Sequence, residues 1–219
     1  MKNKLKRYSE NKLNNLIIEN GKKLFKKTKG NWNKLFNNNN PIYLELGCGN
    51  GEYTVQNSIN NPDINYIGID IKGSRIWKGA NILNKLNSKN AFFLRIQIEE
   101  IDNHFKSNEV DEILITFPDP RPKKRDTKKR LTNIKFLIIY HSLLKNNGLF
   151  KLKTDDLKFF EFSYDCIKKS NFKNIKSTIN LYKSKEHEEI KIIKTKYEKK
   201  FIDQGKIIKY LRCEKSDFD

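Results

Sequence analysis

The chain of 219 residues is long enough for one domain with a real hydrophobic core and too short for two full domains. Lysine and arginine number 45 against 26 aspartates and glutamates, which gives a formal net charge of +19 at pH 7. Such an excess favours a polyanionic partner, above all a nucleic acid. Lysine, asparagine and isoleucine are abundant everywhere, so codon bias in an AT-rich genome is the alternative source of part of this charge.

The cysteine and histidine patterns argue against two kinds of site. The three cysteines are far apart and form no C-x-x-C pair, so neither a disulfide framework nor a zinc site is expected. His104, His141 and His187 share no metal-ligand spacing, and we expect each to be a packing or surface residue. The chain starts with charged residues, and no run approaches the roughly 18 apolar residues of a membrane span. The sequence therefore predicts a soluble, cytoplasmic protein without a metal or a membrane partner.

Residues 1–40 are rich in lysine and asparagine, with scattered apolar positions. They are interpreted as a basic N-terminal extension, helical or partly disordered. The apolar positions suit a short helix packed loosely on the body: Leu13, Leu16, Ile17, Leu24 and Phe25. After residue 40 the pattern changes to compact apolar runs separated by polar helical stretches, which indicates one domain over residues 41–219 built from βαβ units.

The apolar runs of this domain predict the order of its elements. Strands are expected at 42–46, 65–70, 91–96, 111–117 and 149–153. Helices are expected between them at 53–60, 74–86, 133–145 and 157–169. Two further strands, 175–182 and 207–213, flank a predicted helix at 189–203. The fold class is therefore α/β and Rossmann-like: a mostly parallel sheet with helices on both faces and an antiparallel edge hairpin.

A glycine-rich run follows the first strand of this domain and precedes a helix. Gly47, Gly49 and Gly51 stand at alternate positions, so the backbone can turn sharply and come close to a ligand. Glu52 occupies the place of the third glycine in the G-x-G-x-x-G pattern, which argues against a nicotinamide dinucleotide. The alternative is a tight turn from strand to helix that binds nothing.

Asp70 ends the next strand, about 20 residues after the glycines. A carboxylate at this position can accept hydrogen bonds from both hydroxyls of a ribose. The alternative is that Asp70 caps the following helix, a role that Ser74 could fill equally well.

The segment from Pro118 to Leu131 follows the fourth strand of the domain and combines a rigid acid with a basic cluster. Prolines on both sides of Asp119 restrict the backbone, and the carboxyl end of a parallel strand lines the ligand crevice. Six lysines or arginines follow within eight positions, and such a cluster can hold RNA phosphates. The alternative is a solvated basic loop.

Three segments resemble motifs of the tRNA (guanine-N7-)-methyltransferase family. The run from Pro118 to Leu131 is similar to its P-D-P-W-P-K-K-R-H-x-K-R-R-L signature. Lys153 to Asp155 resembles its K-T-D motif, and Thr195 to Glu198 resembles its T-x-[FY]-E motif. The similarity extends from about residue 42 to residue 201, which is most of the chain.

The resemblance implies a class I methyltransferase fold that uses S-adenosyl-L-methionine. It implies transfer of the methyl group to N7 of a guanine in the variable loop of tRNA, which gives 7-methylguanosine. It also implies that the partner is tRNA. We expect a monomer or a homodimer, with no partner subunit evident.

Site residues follow by matching the family motifs position by position. The resemblance and the glycine turn together assign the cofactor to Glu45, Gly47, Gly49, Gly51, Asp70, Gln97 and Asp119. Asp119 and Asp155 are implied to be catalytic. The guanine and its nucleotide are implied to face Lys123, Asp155, Thr195, Lys196, Tyr197 and Glu198. RNA phosphates are assigned to Lys124, Arg125, Lys128, Lys129 and Arg130.

Two positions depart from the family pattern. Gln97 stands where the family usually carries an acid or Asn, and its carbonyl can still accept from an adenine amino group. Arg121 replaces the family Trp between the prolines, so a planar cation stands where an aromatic face is usual.

The implied chemistry needs no general base, because guanine N7 carries no proton at neutral pH. We expect the rate to come from alignment, and from fixed anions such as Asp119, Asp155 or Glu198 that favour positive charge on the purine. Two other functions compete. One is a methyltransferase of the same fold that acts on a small molecule or a protein, and the other is an RNA-binding protein that has lost catalysis.

Overall fold

The computed structural model describes residues 2–216. The chain divides into two compact units, Met1–Val110 and Asp111–Asp219. The first 40 residues thus belong to the same unit as the strands that follow them. The boundary between an extension of residues 1–40 and a domain of residues 41–219 stays a prediction.

The first unit is a parallel sheet with helices. Its helices are α1 (Lys2–Leu13), α2 (Trp32–Phe36), α3 (Glu52–Asn60) and α4 (Gly73–Lys85). Its strands are β1 (Ile17–Glu19), β2 (Ile42–Leu46), β3 (Asn65–Ile69) and β4 (Ala91–Arg95), and short 3₁₀ helices cover Phe25–Lys27 and Ile98–Asn103. The strand order is β1-β4-β3-β2, and each neighbouring pair is parallel. The three predicted strands of this region are confirmed.

The N-terminal segment differs from its prediction. The apolar positions from Leu13 to Phe25 do not form one helix. Leu13 ends α1, Ile17 lies buried in β1, and Phe25 begins a 3₁₀ helix. Ile17 is in register with Phe93, so the strand covers the edge of β4 and satisfies its backbone groups. The helix lies earlier, in α1, where the Asn11 side chain donates to the Gly73 carbonyl at 2.8 Å. Five scattered apolar residues could not distinguish a helix from an edge strand.

Phe93 is the centre of the core in the first unit. Its fully buried ring lies against three glycines, and a Cβ added at Gly51, Gly68 or Gly79 would overlap the ring. These glycines therefore let α3 and α4 approach the sheet closely. Gly51 has this packing role in addition to its place in the turn.

The second unit carries the antiparallel part of the fold. Its helices are α5 (Ile134–Leu143), α6 (Leu157–Lys168), α7 (Glu188–Lys191) and α8 (Lys196–Asp203). Its strands are β5 (Val110–Thr116), β6 (Leu144–Thr154), β7 (Phe172–Thr178) and β8 (Lys209–Lys215), in the order β5-β6-β8-β7. Strand β8 runs antiparallel to both β6 and β7. The α/β fold, with parallel strands first and an antiparallel edge, is confirmed.

The helix expected at 189–203 is wrong as a single element. The structure has α7 and α8 with a break between them, and α8 begins after Thr195. The Thr195 hydroxyl accepts from the Glu198 N–H at 3.3 Å and caps the second helix. A threonine three residues before a glutamate is the sequence signal that predicts such a start.

The histidines are packing residues, as expected. His104 and His141 are buried. Burial lowers the pKa of both imidazoles, because the interior disfavours the charged form. Within residues 2–216, no helix combines the length and the apolar character that crossing a bilayer demands.

Candidate functional site

The glycine turn of the first unit connects β2 to α3 and is tied to the end of β3. The N–H groups of Gly47 and Cys48 both donate to the Ile69 carbonyl, at 2.8 and 3.0 Å. Gly49 has a φ of +56°, a conformation that other residues adopt only with strain. No described atom lies within 4 Å of the place that a Cβ of Gly49 would occupy. The turn therefore leaves open space in front of Gly49, where a ligand can approach the backbone.

Asp70 orders this turn with its carboxylate. Its Oδ2 accepts from the Gly49 N–H at 3.0 Å, and its Oδ1 accepts from the Lys72 N–H at 2.7 Å. Helix α4 begins after Lys72, so neither Asp70 nor Ser74 is its cap residue, and that alternative is wrong. An ionised carboxylate offers about four acceptor positions, so these two bonds do not saturate Asp70.

Glu45 adds a second carboxylate near the turn. Its Oε2 accepts from the Thr54 N–H at 3.0 Å and from the Thr54 hydroxyl at 2.5 Å, which ties the end of β2 to α3. Burial raises the pKa of the Cys48 thiol, and the charges of Glu45 and Asp70 raise it further. Cys48 thus lies in a negative potential, and such a potential suits a cationic ligand.

A cavity of about 680 Å³ extends from the end of β4, within the 300–1,000 Å³ that is typical of small-molecule sites. From the ends of the strands it is lined by Ile71, Ile96 and Gln97, so the structure places Gln97 in the cavity. A second part of its lining, here called the N-terminal wall, comes from the N-terminal segment: Glu19, Asn20, Phe25 and Lys26. Sequence reasoning missed this wall, since no motif includes those residues. An ion pair of 3.0 Å between Arg95 Nη1 and Glu19 Oε2 holds the wall in place.

In the second unit, the loop after β5 holds Asp119 in a strained frame. Phe117 and Arg121 have φ values of +46° and +45°, and such backbone conformations cost about 1–3 kcal/mol each and cluster at functional sites. The Phe117 N–H donates to the Lys153 carbonyl at 2.9 Å and anchors the start of the loop. The Asp119 side chain is exposed, and its Oδ1 accepts from the Arg121 N–H at 3.1 Å.

The basic residues after this loop fall into two groups. Those that are exposed to solvent are Lys123, Lys124, Arg125, Lys128 and Lys129. Arg130 differs, because its guanidinium donates twice to the Arg121 carbonyl, at 3.2 and 3.3 Å, and lies 4.4 Å from the ring centroid of Phe162. Arg130 therefore stabilises the loop that carries Asp119. The other five form an exposed basic surface, in which Lys129 pairs with Asp126 at 3.6 Å.

A buried ion pair joins the second and third motifs of this unit. Lys153 and Glu198 are both fully buried, and Lys153 Nζ lies 2.6 Å from Glu198 Oε1. The ammonium also donates to the Ile190 carbonyl at 3.1 Å, and the Tyr182 hydroxyl donates to Glu198 at 2.7 Å. Burial raises the pKa of Tyr182, and the bond to Glu198 raises it further. Glu198, implied by resemblance to face the guanine, here ties α8 to β6.

Asp155 lies two residues after Lys153 in the chain, and its side chain is partly exposed. Its carboxylate forms an ion pair with Lys206, and its side chain is 15% exposed. Thr195 caps α8, and Lys196 and Tyr197 are exposed in the first turn of that helix. Of the four residues from Thr195 to Glu198 that the resemblance assigned to the substrate, the structure exposes Lys196 and Tyr197. Thr195 is half-buried and caps the helix, and Glu198 is buried.

Phe201 connects these motifs to the strained loop. Its ring centroid lies 5.5 Å from that of Phe117 and 6.4 Å from that of Tyr197. Together with the bond from Phe117 to Lys153, these contacts bring three motifs, spread over residues 118–198 of the chain, to one place in the second unit. Phe201 and Lys206 belong to this place and were missed by sequence reasoning, because neither lies in a motif.

The open glycine turn, the strand-end carboxylate and the α/β order define a Rossmann-like methyltransferase. A family model described as "Putative methyltransferase" matches residues 39–211. A solved 16S rRNA methyltransferase, KamB, superposes with a TM-score of 0.63 at 14% identity, over 85% of this chain and 93% of that one. An antibiotic-related methyltransferase gives 0.60 at 17% identity, over 85% and 92% of the two chains. These likenesses confirm the class I methyltransferase fold.

Curated relatives narrow this class to one family. A tRNA (guanine-N(7)-)-methyltransferase of Christiangramia forsetii is 42% identical over 217 residues, 96% of this chain and 97% of the relative. One from Bacteroides fragilis is 44% identical over 185 residues, 84% of this chain and 73% of the relative. The chain belongs to the tRNA (guanine-N7-)-methyltransferase family, which confirms the resemblance in its motifs.

No metal centre accompanies these sites in the part of the chain that the structure describes, since it contains no group of three or more His, Cys, Asp or Glu side chains placed to hold an ion.

Proposed function

We propose that this protein transfers a methyl group from S-adenosyl-L-methionine to N7 of a guanine in the variable loop of tRNA. The proposal rests on one observation: three family motifs meet near Asp155. The hydrogen bond between Phe117 and Lys153, the ion pair between Lys153 and Glu198, and the contact of Phe117 with Phe201 join them. The names of the curated relatives support the substrate and the reaction.

The cofactor fits the first unit. The open space at Gly49 admits a ligand against the backbone, and Asp70 retains acceptor positions for ribose hydroxyls. Ile71, half exposed at the cavity, offers an apolar surface to a flat base, and the Gln97 side chain can accept from its amino group. When bound, the sulfonium supplies an electrophilic methyl group. We assign Glu45, Gly47, Gly51 and Asp119 to the same site on the basis of the family motifs.

The residues of the chain contribute alignment and charge to the transfer. Guanine N7 is unprotonated at neutral pH, so no side chain has to remove a proton from the nucleophile. A fixed carboxylate at Asp155 or Asp119 can accept from the N1 and amino hydrogens of guanine, which adenine cannot supply in the same pattern. The same carboxylates stabilise the positive charge that the purine acquires. Both residues are therefore proposed as catalytic.

The exposed basic surface from Lys123 to Lys129 is proposed to bind tRNA phosphates. Arg130 is assigned a supporting role in RNA binding, because its guanidinium is engaged with the loop. We place the enzyme in the cytoplasm, as a monomer or homodimer; the three thiols, free in this structure, suit a reducing compartment.

The activity is tested by incubating purified protein with bulk unmodified tRNA and methyl-labelled cofactor, followed by nucleoside analysis. We expect label in 7-methylguanosine, and none when free guanosine replaces tRNA. Label in another nucleoside contradicts the proposal. Transfer to a small molecule or a protein instead supports a different methyltransferase, and cofactor binding without transfer to any RNA supports a binding protein that has lost catalysis.

Alanine at Gly49 should weaken cofactor binding by about 5- to 150-fold, because a methyl group inserted into a well-packed contact costs about 1–3 kcal/mol. Gly205 provides the matched control, since its φ is also positive and no described atom lies within 4 Å of its Cβ position. Both variants should lose about 1–2 kcal/mol of stability through backbone strain. Calorimetric titration measures the cofactor affinity of each variant, and only the variant at Gly49 should bind more weakly. Equal affinities of the two variants would show that the cofactor does not lie against Gly49.

A further inference from the structure

Lys206 lies in the turn that precedes β8, outside every family motif, and contacts two residues of the site around Asp155. Its ammonium pairs with Asp155 Oδ2 and lies 4.3 Å from the ring centroid of Phe201. The Lys206 side chain is 44% exposed, so it can leave this position without unfolding the turn.

The ion pair competes with the role proposed for Asp155. The ammonium takes an acceptor position at Oδ2 that a guanine N–H would otherwise use. A cation beside the base would also oppose the positive charge that the purine acquires. The Lys206 end of the pair is 44% exposed, so water can solvate the ammonium when the guanine displaces it.

The position of Asp155 does not depend on Lys206. Lys209 Nζ donates to the Asp155 carbonyl at 2.9 Å and to the Ile207 carbonyl at 2.8 Å. On the other side, the Thr154 hydroxyl accepts from the Asp156 N–H at 3.2 Å. These bonds hold the Asp155 backbone in place when the ammonium departs.

We propose that Lys206 neutralises Asp155 in the free enzyme and moves to a phosphate of the bound RNA when the guanine takes over the carboxylate. The inference rests on the proposed function. A lysine suits this exchange, because its ammonium is a point charge on a flexible stem and needs no fixed geometry. Lys206 thus couples arrival of the RNA to release of the acid.

The test is Lys206→Met, with tRNA affinity and methyl transfer measured at several salt concentrations. The slope of log affinity against log salt should become less steep by about 0.7–0.9, the contribution of one phosphate contact. KM for tRNA should rise by about threefold to tenfold at low salt, with kcat unchanged. Lys206→Arg should restore both the slope and KM, because it keeps the charge.

Lys145→Met is the matched control. Lys145 is 45% exposed and pairs with Asp111 at 2.9 Å, but it belongs to no motif and has no contact with Asp155 among those described. Its variant should keep the wild-type slope.

A wild-type slope in Lys206→Met would overturn the phosphate contact, and a fall in kcat with unchanged KM would show that Lys206 merely orients Asp155. The salt slope is measured from binding alone. It therefore tests the Lys206 contact even if the wild type methylates no tRNA. Absence of methylation by the wild type would instead refute the proposed function.

Discussion

Lys153→Met should lower the free energy of unfolding by about 3–5 kcal/mol, because removing one partner of a buried ion pair leaves the other charge uncompensated. Lys153 and Glu198 are each fully buried, so water cannot replace the lost ammonium. Tyr182 would still donate to Glu198, but a neutral hydroxyl does not balance the charge. Urea denaturation at pH 7 measures the loss.

Two further variants distinguish the charge from the loss of packing. Lys153→Met combined with Glu198→Gln removes both charges of this pair and should recover most of the stability. A double-mutant cycle measures this coupling. Lys145→Met breaks the exposed pair with Asp111 and should cost at most about 1 kcal/mol. A similar small cost for Lys153→Met would mean that the pair does not fasten α8 to β6.

Asp155→Ala should reduce turnover by about 10²-fold, the effect of removing one preorganised group that stabilises charge in a transition state. Cofactor affinity should not change, because the residues assigned to the cofactor lie elsewhere in the sequence. Lys206 would lose its partner, but its exposed ammonium remains solvated, so the fold should tolerate the change. Single-turnover kinetics with saturating tRNA, together with calorimetric titration of the cofactor, measures the two quantities separately.

Asp156→Ala is the control for this variant. Asp156 carries the same charge one residue later, but its Oδ1 accepts from the Phe159 N–H at 2.7 Å and caps α6. Its replacement should cost about 1 kcal/mol of stability and leave turnover near that of the wild type. Unchanged turnover in Asp155→Ala would remove Asp155 from the mechanism.

The sheet was well predicted because its signal is local. Buried parallel strands are short runs of β-branched and aromatic residues, and β2, β3 and β4 were each placed within one residue of their bounds. The same reasoning failed at Ile17 and Ile18, where a three-residue strand is defined by its neighbour β4 and not by its own pattern. Sequence reasoning also predicted α7 and α8 as a single helix, because the break between them depends on one side-chain cap at Thr195.

The motifs pointed to the family and to most of the proposed site residues, but not to how those residues are arranged. The family was confirmed, whereas the individual roles stay predictions. The structure shows that Arg130 supports its own loop and that Glu198 is buried against Lys153, although both lie in motifs implied to face RNA. It also adds Phe201, Lys206 and the N-terminal wall of the cavity, which carry no sequence signal.

The amino-acid sequence alone determined the fold class, the turn at Gly47 to Gly51 and the family, because backbone freedom, strand patterning and motif spacing are properties of neighbouring residues. Only the tertiary structure decided which charges are paired and which remain free. Pairing depends on contacts such as Lys153 with Glu198 and Asp155 with Lys206, between residues 45 and 51 positions apart. Burial then sets the strength of each pair, since a charge in the interior cannot be solvated and one at the surface can.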